Sequence, residues 1–459
     1  MSASPAATIG RELAALFGAE HVREDSQSLA ACAIEGLLPA AVVSPGSPEE
    51  IAALLRLASE RAWTVVPAGG GTQQSVGGVP ERVEVVVRTD RLRAVHHYDP
   101  GDLTLGVDAG LTLAAVDRML AGHGQILPLD VARPEAATIG GVLATAAHGP
   151  MRHAYGGVRD FCIGITFVTG DGAIAHGGGR VVKNVAGYDL MKLLIGSHGS
   201  LGVITGANFR VFTRPAATCT FECSFASVEE AKRFRDRVLS SPLTPRCLEL
   251  LSPYAGDYLQ APPPAEPSPE ETEMLPVDRG SEGWRILVRA AGSEAVLARY
   301  RRELKGGTTR ELAGEEETRL WSAVSEFSET VMARHRNAMM VALSVPVASV
   351  ASTLEAAERA ALDNNFLLAS VGRVGVGSML LAFIPLLVDP PSAMQYVAAV
   401  SAFRGSLPRD ASAIVARCPR EAKLHFSVWG SSPTDLECMR AVKRALDPAS
   451  ILNRGRFMV

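Results

Sequence analysis

The chain has 459 residues, with 45 Lys and Arg against 49 Asp and Glu for a net charge of −4. That balance excludes nucleic acid as the main partner, and 47% hydrophobic with 20% charged residues excludes a disordered chain. At roughly 150 residues per domain the length predicts two or three domains.

The N-terminus lacks the basic start and apolar core of a signal peptide. No stretch reaches the ~18 uncharged apolar residues of a membrane span; the longest, Met379 to Val388, is broken by Pro385. The seven cysteines are scattered, and the closest pair, Cys219 and Cys223, reads as part of a strand. Free buried thiols in a reducing cytoplasm are expected, and no metal site.

The first clear element opens at Ser47-Pro48-Glu49-Glu50. Ser47 suits a cap, Pro48 the first turn, and Glu50 closes a capping box. Ile51, Leu54, Leu55 and Ala58 then share one helix face. A short strand, Trp63 to Val66, runs into the loop Pro67-Ala68-Gly69-Gly70-Gly71-Thr72-Gln73-Gln74-Ser75. Thr112 caps a second helix carrying Leu113, Val116 and Leu120. Strands follow over Asp160 to Val168 and Gly172 to His176, joined by a Gly-Asp-Gly turn. Residues 260–283 are Pro-rich and acidic and read as an exposed insert. The mixture predicts an α+β fold.

Three glycines after a strand expose backbone N–H groups, a nest suited to a pyrophosphate, although a tight surface turn would look the same. A Rossmann site would open a helix at once. Here the loop continues through Ser75-Val76-Gly77-Gly78-Val79-Pro80, which cannot start one cleanly. No Walker-type phosphate motif is present. Two later stretches narrow the reading. Residues 134–150 are small and nearly uncharged, so a flat ligand fits against their backbone. Residues 187–205 read as a helix, a glycine turn and a strand.

Loop, Ala137-Thr138-Ile139-Gly140-Gly141 and Gly196-Ser197-His198-Gly199-Ser200-Leu201-Gly202-Val203-Ile204-Thr205, in this order, resemble the FAD-binding domain of the vanillyl-alcohol oxidase / p-cresol methylhydroxylase superfamily. Within it the chain is similar to the FAD-binding subunits of bacterial glycolate oxidases. His148-Gly149-Pro150-Met151-Arg152, Gly157 to Phe161, Val181 to Asp189 and the tail from Val428-Trp429-Gly430 to Phe457 carry that likeness. The resemblance implies a two-subdomain FAD-binding domain over residues 1–216, with a core from about 38. It implies an α/β cap domain with an antiparallel sheet over 217–415, and a tail, 416–459, returning to the FAD domain. It places the pyrophosphate along Ala68, Gly69, Gly70, Gly71, Thr72 and Gln73, the isoalloxazine near Thr138, Gly141, Ala144, Thr145 and Gly149, and the adenine side near Val203 and Ile204. Pro67, Ser75, Pro128 and Ala137 are expected to touch the cofactor as well.

Departures limit the chemistry. Relatives with covalent FAD carry a His where this chain has Thr72-Gln73, so non-covalent FAD is expected. The counterpart of a metal-binding His-rich strand, Ser370 to Gly377, has no His or carboxylate. The counterpart of a Glu-His-Gly, His425 to Gly430, has no acidic partner, and Arg454 stands where a Pro is expected.

Flavin oxidation of a 2-hydroxy acid needs a base for the hydroxyl proton and cations for the carboxylate. The candidates are His148, Arg152 and His153, with Arg373, His425 and Arg456 from cap and tail. For each, a surface or hydrogen-bonded structural role is the rival reading. His96-His97 reads as solvated, and Tyr188 and Trp429 as core.

The resemblance therefore implies an FAD-dependent oxidoreductase subunit of a glycolate-oxidase-like complex, with a second flavoprotein subunit and an iron–sulfur subunit. It would oxidise a 2-hydroxy acid such as glycolate or D-lactate, or relay its electrons. The alternatives are a self-sufficient 2-hydroxy-acid dehydrogenase and a non-catalytic scaffold. A cytoplasmic location follows, peripheral to the inner membrane where partners hold it there.

Overall fold

The computed structural model describes residues 5–180, 189–259, 283–305, 307–387 and 389–459. Most of the Val181 to Asp189 motif and of the acidic insert expected over 260–283 lies outside the described residues.

The N-terminal half holds a four-stranded and a five-stranded sheet, besides a two-stranded pairing of Gln125–Ile126 with Phe212–Thr213. In the first, Ala41–Val43, Val85–Arg88 and Val65–Ala68 run parallel, with Val22–Arg23 antiparallel at one edge. Helix Pro48–Arg61 covers it through Ile51, Ala52, Leu54, Leu55 and Ala58. Burying each of the larger aliphatic side chains contributes roughly 1.5–3 kcal/mol. Ser47 Oγ accepts from Glu50 N at 3.2 Å, as its sequence position predicts. The Glu50 carboxylate, however, takes Gly46 N at 2.7 Å instead of closing the expected box on Ser47. The strand expected over Trp63 to Val66 is Val65–Ala68, shifted toward the glycines by pairing with Val85–Arg88.

The second sheet is antiparallel: Val95–Asp99, Thr104–Asp108, Val203–Arg210, Cys162–Val168, Ile174–Gly178. Asp160 and Phe161, expected to open a strand, instead belong to the short helical turn Val158–Phe161, whose Asp160 side chain accepts from Gly157 N. His96 lies in the edge strand of this sheet and meets Asp108 at 2.6 Å.

The third sheet has eight antiparallel strands, from Ala217–Phe225 to Ser412–Arg417. It is built from two units, each a strand–helix–strand–strand–helix–strand. The units join where Cys247–Leu251 pairs with Phe366–Arg373, setting Glu249 opposite Arg373. Helices Val228–Ser240, Glu294–Glu303, Val350–Leu362 and Ala393–Gly405 cover one face. Helix Gly314–Arg334 links the units and covers part of the other face, through Trp321, Val324, Phe327 and Val331.

The tail returns to the first sheet. Val65 N donates to Ile451 O at 2.8 Å, and Asn453 N to Val65 O at 2.9 Å. Lys443 and Asp447, 2.6 Å apart and buried, anchor this return: Asp447 accepts from Ile451 N and Leu452 N. Among the described residues no helix is long and apolar enough to cross a membrane.

Candidate active site

The strand Val65–Ala68 delivers the chain onto Gly69-Gly70-Gly71. A Cβ on Gly69 would stand 2.0 Å from Thr138 Oγ1, and one on Gly70 1.8 Å from the Ala136 carbonyl oxygen. Glycine is required because the loop lies against residues 136–138. Gly71 has φ of +75° and open space where a Cβ would project. Thr138 caps helix Ile139–Thr145, accepting from Gly141 N at 3.3 Å. Gly140 N donates to Ala109 O at 2.8 Å, which stitches the start of this helix to the second sheet. The resulting pocket is walled by backbone amides, glycines and short side chains. Such a donor set suits a pyrophosphate and a flat ring system.

The far side of the glycine loop is held by the tail. Lys423 Nζ donates to Ser75 O at 2.6 Å and Gly77 O at 3.2 Å. Arg456 donates to Gln74 O, to Val76 O at 2.6 Å and to Gly78 O at 3.1 Å. The buried Glu35 carboxylate meets Lys423 at 2.5 Å and Arg456 at 3.9 Å. Burial pushes the Arg456 guanidinium down to about 10, which leaves it charged at neutral pH. His198 also lines the pocket, beside the rings of Trp429 and Phe457. Burial and then Arg456 bring its imidazole down to about 4, so it is neutral at pH 7.

A second constellation forms where the hairpin of Phe366–Arg373 and Ser378–Pro385 meets residues 148–153. Arg373 and Ser378 are register partners in that hairpin. His148 Nε2 lies 3.5 Å from Ser378 Oγ, a long contact. His153 packs against Gly375 at the hairpin tip, where a Cβ would meet its ring at 2.3 Å. Burial first, then the charges of Arg373 and Arg152, hold His148 well below the usual histidine range. Its imidazole is therefore neutral and able to accept a proton.

The two arginines are under-compensated. Among the described residues Arg373, 6% exposed, has one ion-pair partner, Glu249 at 3.5 Å and not hydrogen-bonded through Nε, with the Asp130 carboxylate a more distant opposite charge. Glu249 is fully buried and pushed up to about 8 by burial, so at pH 7 it is mostly the neutral acid. Among the described residues Arg152 has no hydrogen-bonded or ion-paired side-chain partner; Arg373 repels it, and the Asp160 carboxylate offsets part of that repulsion. Two cations set near each other in a half-buried site favour an anion between them.

Of the residues expected at the cofactor, Pro67 to Gln73, Thr138, Gly141, Ala144, Thr145, Val203 and Ile204 line the one pocket. Four others do not line it. The carbonyl of Ser75 faces Lys423, and that of Ala137 accepts from Leu113 N at 2.9 Å. Pro128 is buried between Leu127 and Leu129. Gly149 is pressed on Asp130, whose carbonyl oxygen a Cβ would meet at 2.0 Å. His148, Arg152, His153 and Arg373 come together. His425 is exposed, and Arg456 serves the glycine loop. Trp429 is half-buried and donates to Arg456 O at 3.1 Å. Sequence reasoning missed His198, Asn453, Lys423 and Glu35. Lys423 and Glu35 are 388 residues apart and carry no local signal.

Two family models match the chain: an FAD binding domain over residues 39–178, and the C-terminal domain of FAD linked oxidases over 214–404 and 423–457. The chain is similar to D-2-hydroxyglutarate dehydrogenase of Xanthomonas citri, 38% identical over 39% of this chain and 38% of that protein. It is similar to the probable mitochondrial D-lactate dehydrogenase of Danio rerio, 28% identical over 92% of this chain and 84% of that protein. The aligned part spans less than half the length of several curated relatives. Among solved structures, p-cresol methylhydroxylase superposes with a TM-score of 0.76 at 16% identity, covering 98% of this chain and 96% of that one. This likeness bears on the fold.

Proposed function

The chain belongs to the FAD-linked oxidases and binds FAD, and from that premise we propose that it oxidises a 2-hydroxy acid to the 2-oxo acid within this chain. The observation that carries the reading is the neutral His148 flanked by the under-compensated Arg152 and Arg373. The arginines hold the substrate carboxylate. The His148 imidazole takes the hydroxyl proton as the carbon–oxygen double bond forms. Bound FAD supplies the acceptor for the hydride that leaves the substrate carbon. The glycine loop, set from behind by Lys423 and Arg456, and the short helix Ile139–Thr145 hold the cofactor. With Thr72 and Gln73 in the loop, that hold is non-covalent.

This assembly supports a self-sufficient enzyme over an electron-relay subunit. The departures at Ser370 to Gly377 and His425 to Gly430 remain, and the His148 constellation supplies a base and cations from other positions. The test is anaerobic. The FAD-loaded chain is mixed with D-lactate or glycolate while visible absorbance is followed. Bleaching that disappears in His148→Ala and Arg373→Met supports the reading. A flavin that stays oxidised with every 2-hydroxy acid tried overturns it.

A further inference from the structure

A cleft of about 790 Å3 opens between helix Leu113–Ala121 and the first unit of the eight-stranded sheet. Leu127, Leu129, Val131 and Trp321 give it apolar walls. One side chain in it is unexplained. Arg246 is 8% exposed, and its Nε is buried without a partner. Among the described residues its one hydrogen-bond acceptor is the Met151 thioether, at 3.0 Å. Sulfur is a weak acceptor for a guanidinium. The Tyr155 ring lies 5.6 Å from its Cζ and is no substitute for an anion.

None of the carboxylates lining the cleft is within ion-pair distance of Arg246 among the described residues, although the charge of Asp130, one of whose oxygens is unpartnered, reaches it. Asp117 holds Arg214 at 3.1 Å, Glu135 holds Arg118 at 3.3 Å, Glu326 takes Arg133 N at 2.5 Å, and Asp130 takes Met151 N at 2.8 Å. The neighbouring cation, Arg289, is paired with Glu317 at 3.0 Å. Among the described residues Arg246 is the cleft's cation with no carboxylate in ion-pair or hydrogen-bond contact, and a guanidinium withdrawn from water is costly unless an anion meets it.

Its place relative to the proposed chemistry is set by strand register. Arg246 lies three residues before Glu249, and Glu249 is opposite Arg373. At about 3.3 Å per residue the backbone of Arg246, just before the strand, is offset about 10 Å along the strand direction from that of Arg373, and the Asp130 carboxylate feels the charge of Arg373 and acts on Arg246. Asp130 and Met151 line the cleft, and Met151 directly precedes Arg152. The cleft therefore reaches the edge of the His148 constellation.

We propose that Arg246 binds the distal acidic group of the substrate, so that the 2-hydroxy acid is a short diacid lying from Arg373 into the cleft. This rests on the reading that His148, Arg152 and Arg373 take the reacting end. Monocarboxylic 2-hydroxy acids leave Arg246 unpaired and bind more weakly.

The experiment separates the two readings. In the first arm, calorimetric binding of glutarate, which has no hydroxyl to oxidise, is compared with butyrate on the FAD-loaded chain. Glutarate binds at least tenfold more tightly, and Arg246→Met removes that advantage. Arg246→Lys, which keeps the charge, restores part of it and shows that loss of folding is not the cause. Equal binding of the two acids, or glutarate binding unchanged in Arg246→Met, overturns the proposal whatever the flavin does. In the second arm, D-2-hydroxyglutarate bleaches the flavin at a lower concentration than D-lactate, and Arg246→Met raises the first concentration about tenfold while leaving the second unchanged. Bleaching by D-lactate with equal sensitivity of both acids to Arg246→Met overturns the distal site but leaves the oxidation intact. Glutarate binding through Arg246 without bleaching by any 2-hydroxy acid overturns the oxidation and leaves the anion site intact.

Discussion

Lys423 and Arg456 stand on either side of one carboxylate, Glu35, and take alternate carbonyls of the glycine loop. Lys423 has Ser75 and Gly77; Arg456 has Gln74, Val76 and Gly78. Drawing consecutive carbonyls to one side fixes the loop that carries the pocket's amides. Two cations to one carboxylate also leave a surplus positive charge behind a loop suited to phosphate. Lys423→Met is expected to cost about 3–5 kcal/mol of stability, because Glu35 is left as a poorly compensated buried charge. Adding Glu35→Gln recovers part of that loss in a denaturant titration. Arg456→Met is expected to weaken FAD binding by tenfold or more, read by quenching of flavin fluorescence on titration.

The glycine positions predict a graded result. Gly70→Ala forces a methyl to within 1.8 Å of a backbone oxygen, so the loop must move off residues 136–138. The purified protein is expected to be colourless. Gly71→Ala meets no atom within 4 Å and pays only for its left-handed backbone, about 1–2 kcal/mol. It is expected to keep FAD with a lowered melting temperature. Acid precipitation of the wild type is expected to release all of its flavin into the supernatant, since Thr72 and Gln73 offer no histidine for a covalent bond.

What was legible beforehand follows the range of the interactions. The helix caps at Ser47 and Thr112, the glycine loop at Gly69 to Gly71 and the small-residue stretch after Thr138 are local, so spacing and side-chain chemistry reveal them, although not that the stretch folds as the helix Ile139–Thr145. The paired units of the third sheet were not legible, because strand pairing across the join at Glu249 and Arg373 leaves no short-period signature. The same holds for the tail clamp. Lys423 and Arg456 reach carbonyls, and any residue type supplies a carbonyl. Arg373 was seen as a contributor from the cap, but its partner Ser378 and its nearness to His148 depend on how the hairpin tip docks.

His148 makes the pH dependence of the proposed oxidation specific. Burial and two nearby guanidinium groups disfavour its charged form. The neutral, proton-accepting form therefore persists as pH falls, and the acid limb of flavin bleaching is expected well below pH 6.5. Arg373→Met removes one of those positive neighbours. Protonation becomes easier, so the limb moves up toward 6.5 while the substrate concentration needed also rises. A wild-type limb at or above 6.5 would assign the proton to another group.

Glu249 gives a stability prediction of opposite character. Burial raises its carboxyl from an ordinary 4.5 to about 8, against the pull of Arg373. The folded state thus binds a proton that the unfolded chain has already released between these values. The group's contribution is fully present below about pH 4.5 and is lost as pH rises through about 8, with a slope of at most about 1.4 kcal/mol per pH unit. Glu249→Gln keeps the shape and removes the titration. Denaturant midpoints measured across this range are expected to fall with pH in the wild type more steeply than in Glu249→Gln. The variant should be the more stable protein at pH 9, because it no longer carries an ionised carboxylate whose two oxygens lack a hydrogen bond. Parallel curves for the two proteins would mean that Arg373, at 3.5 Å, fully compensates the ionised carboxylate despite its burial.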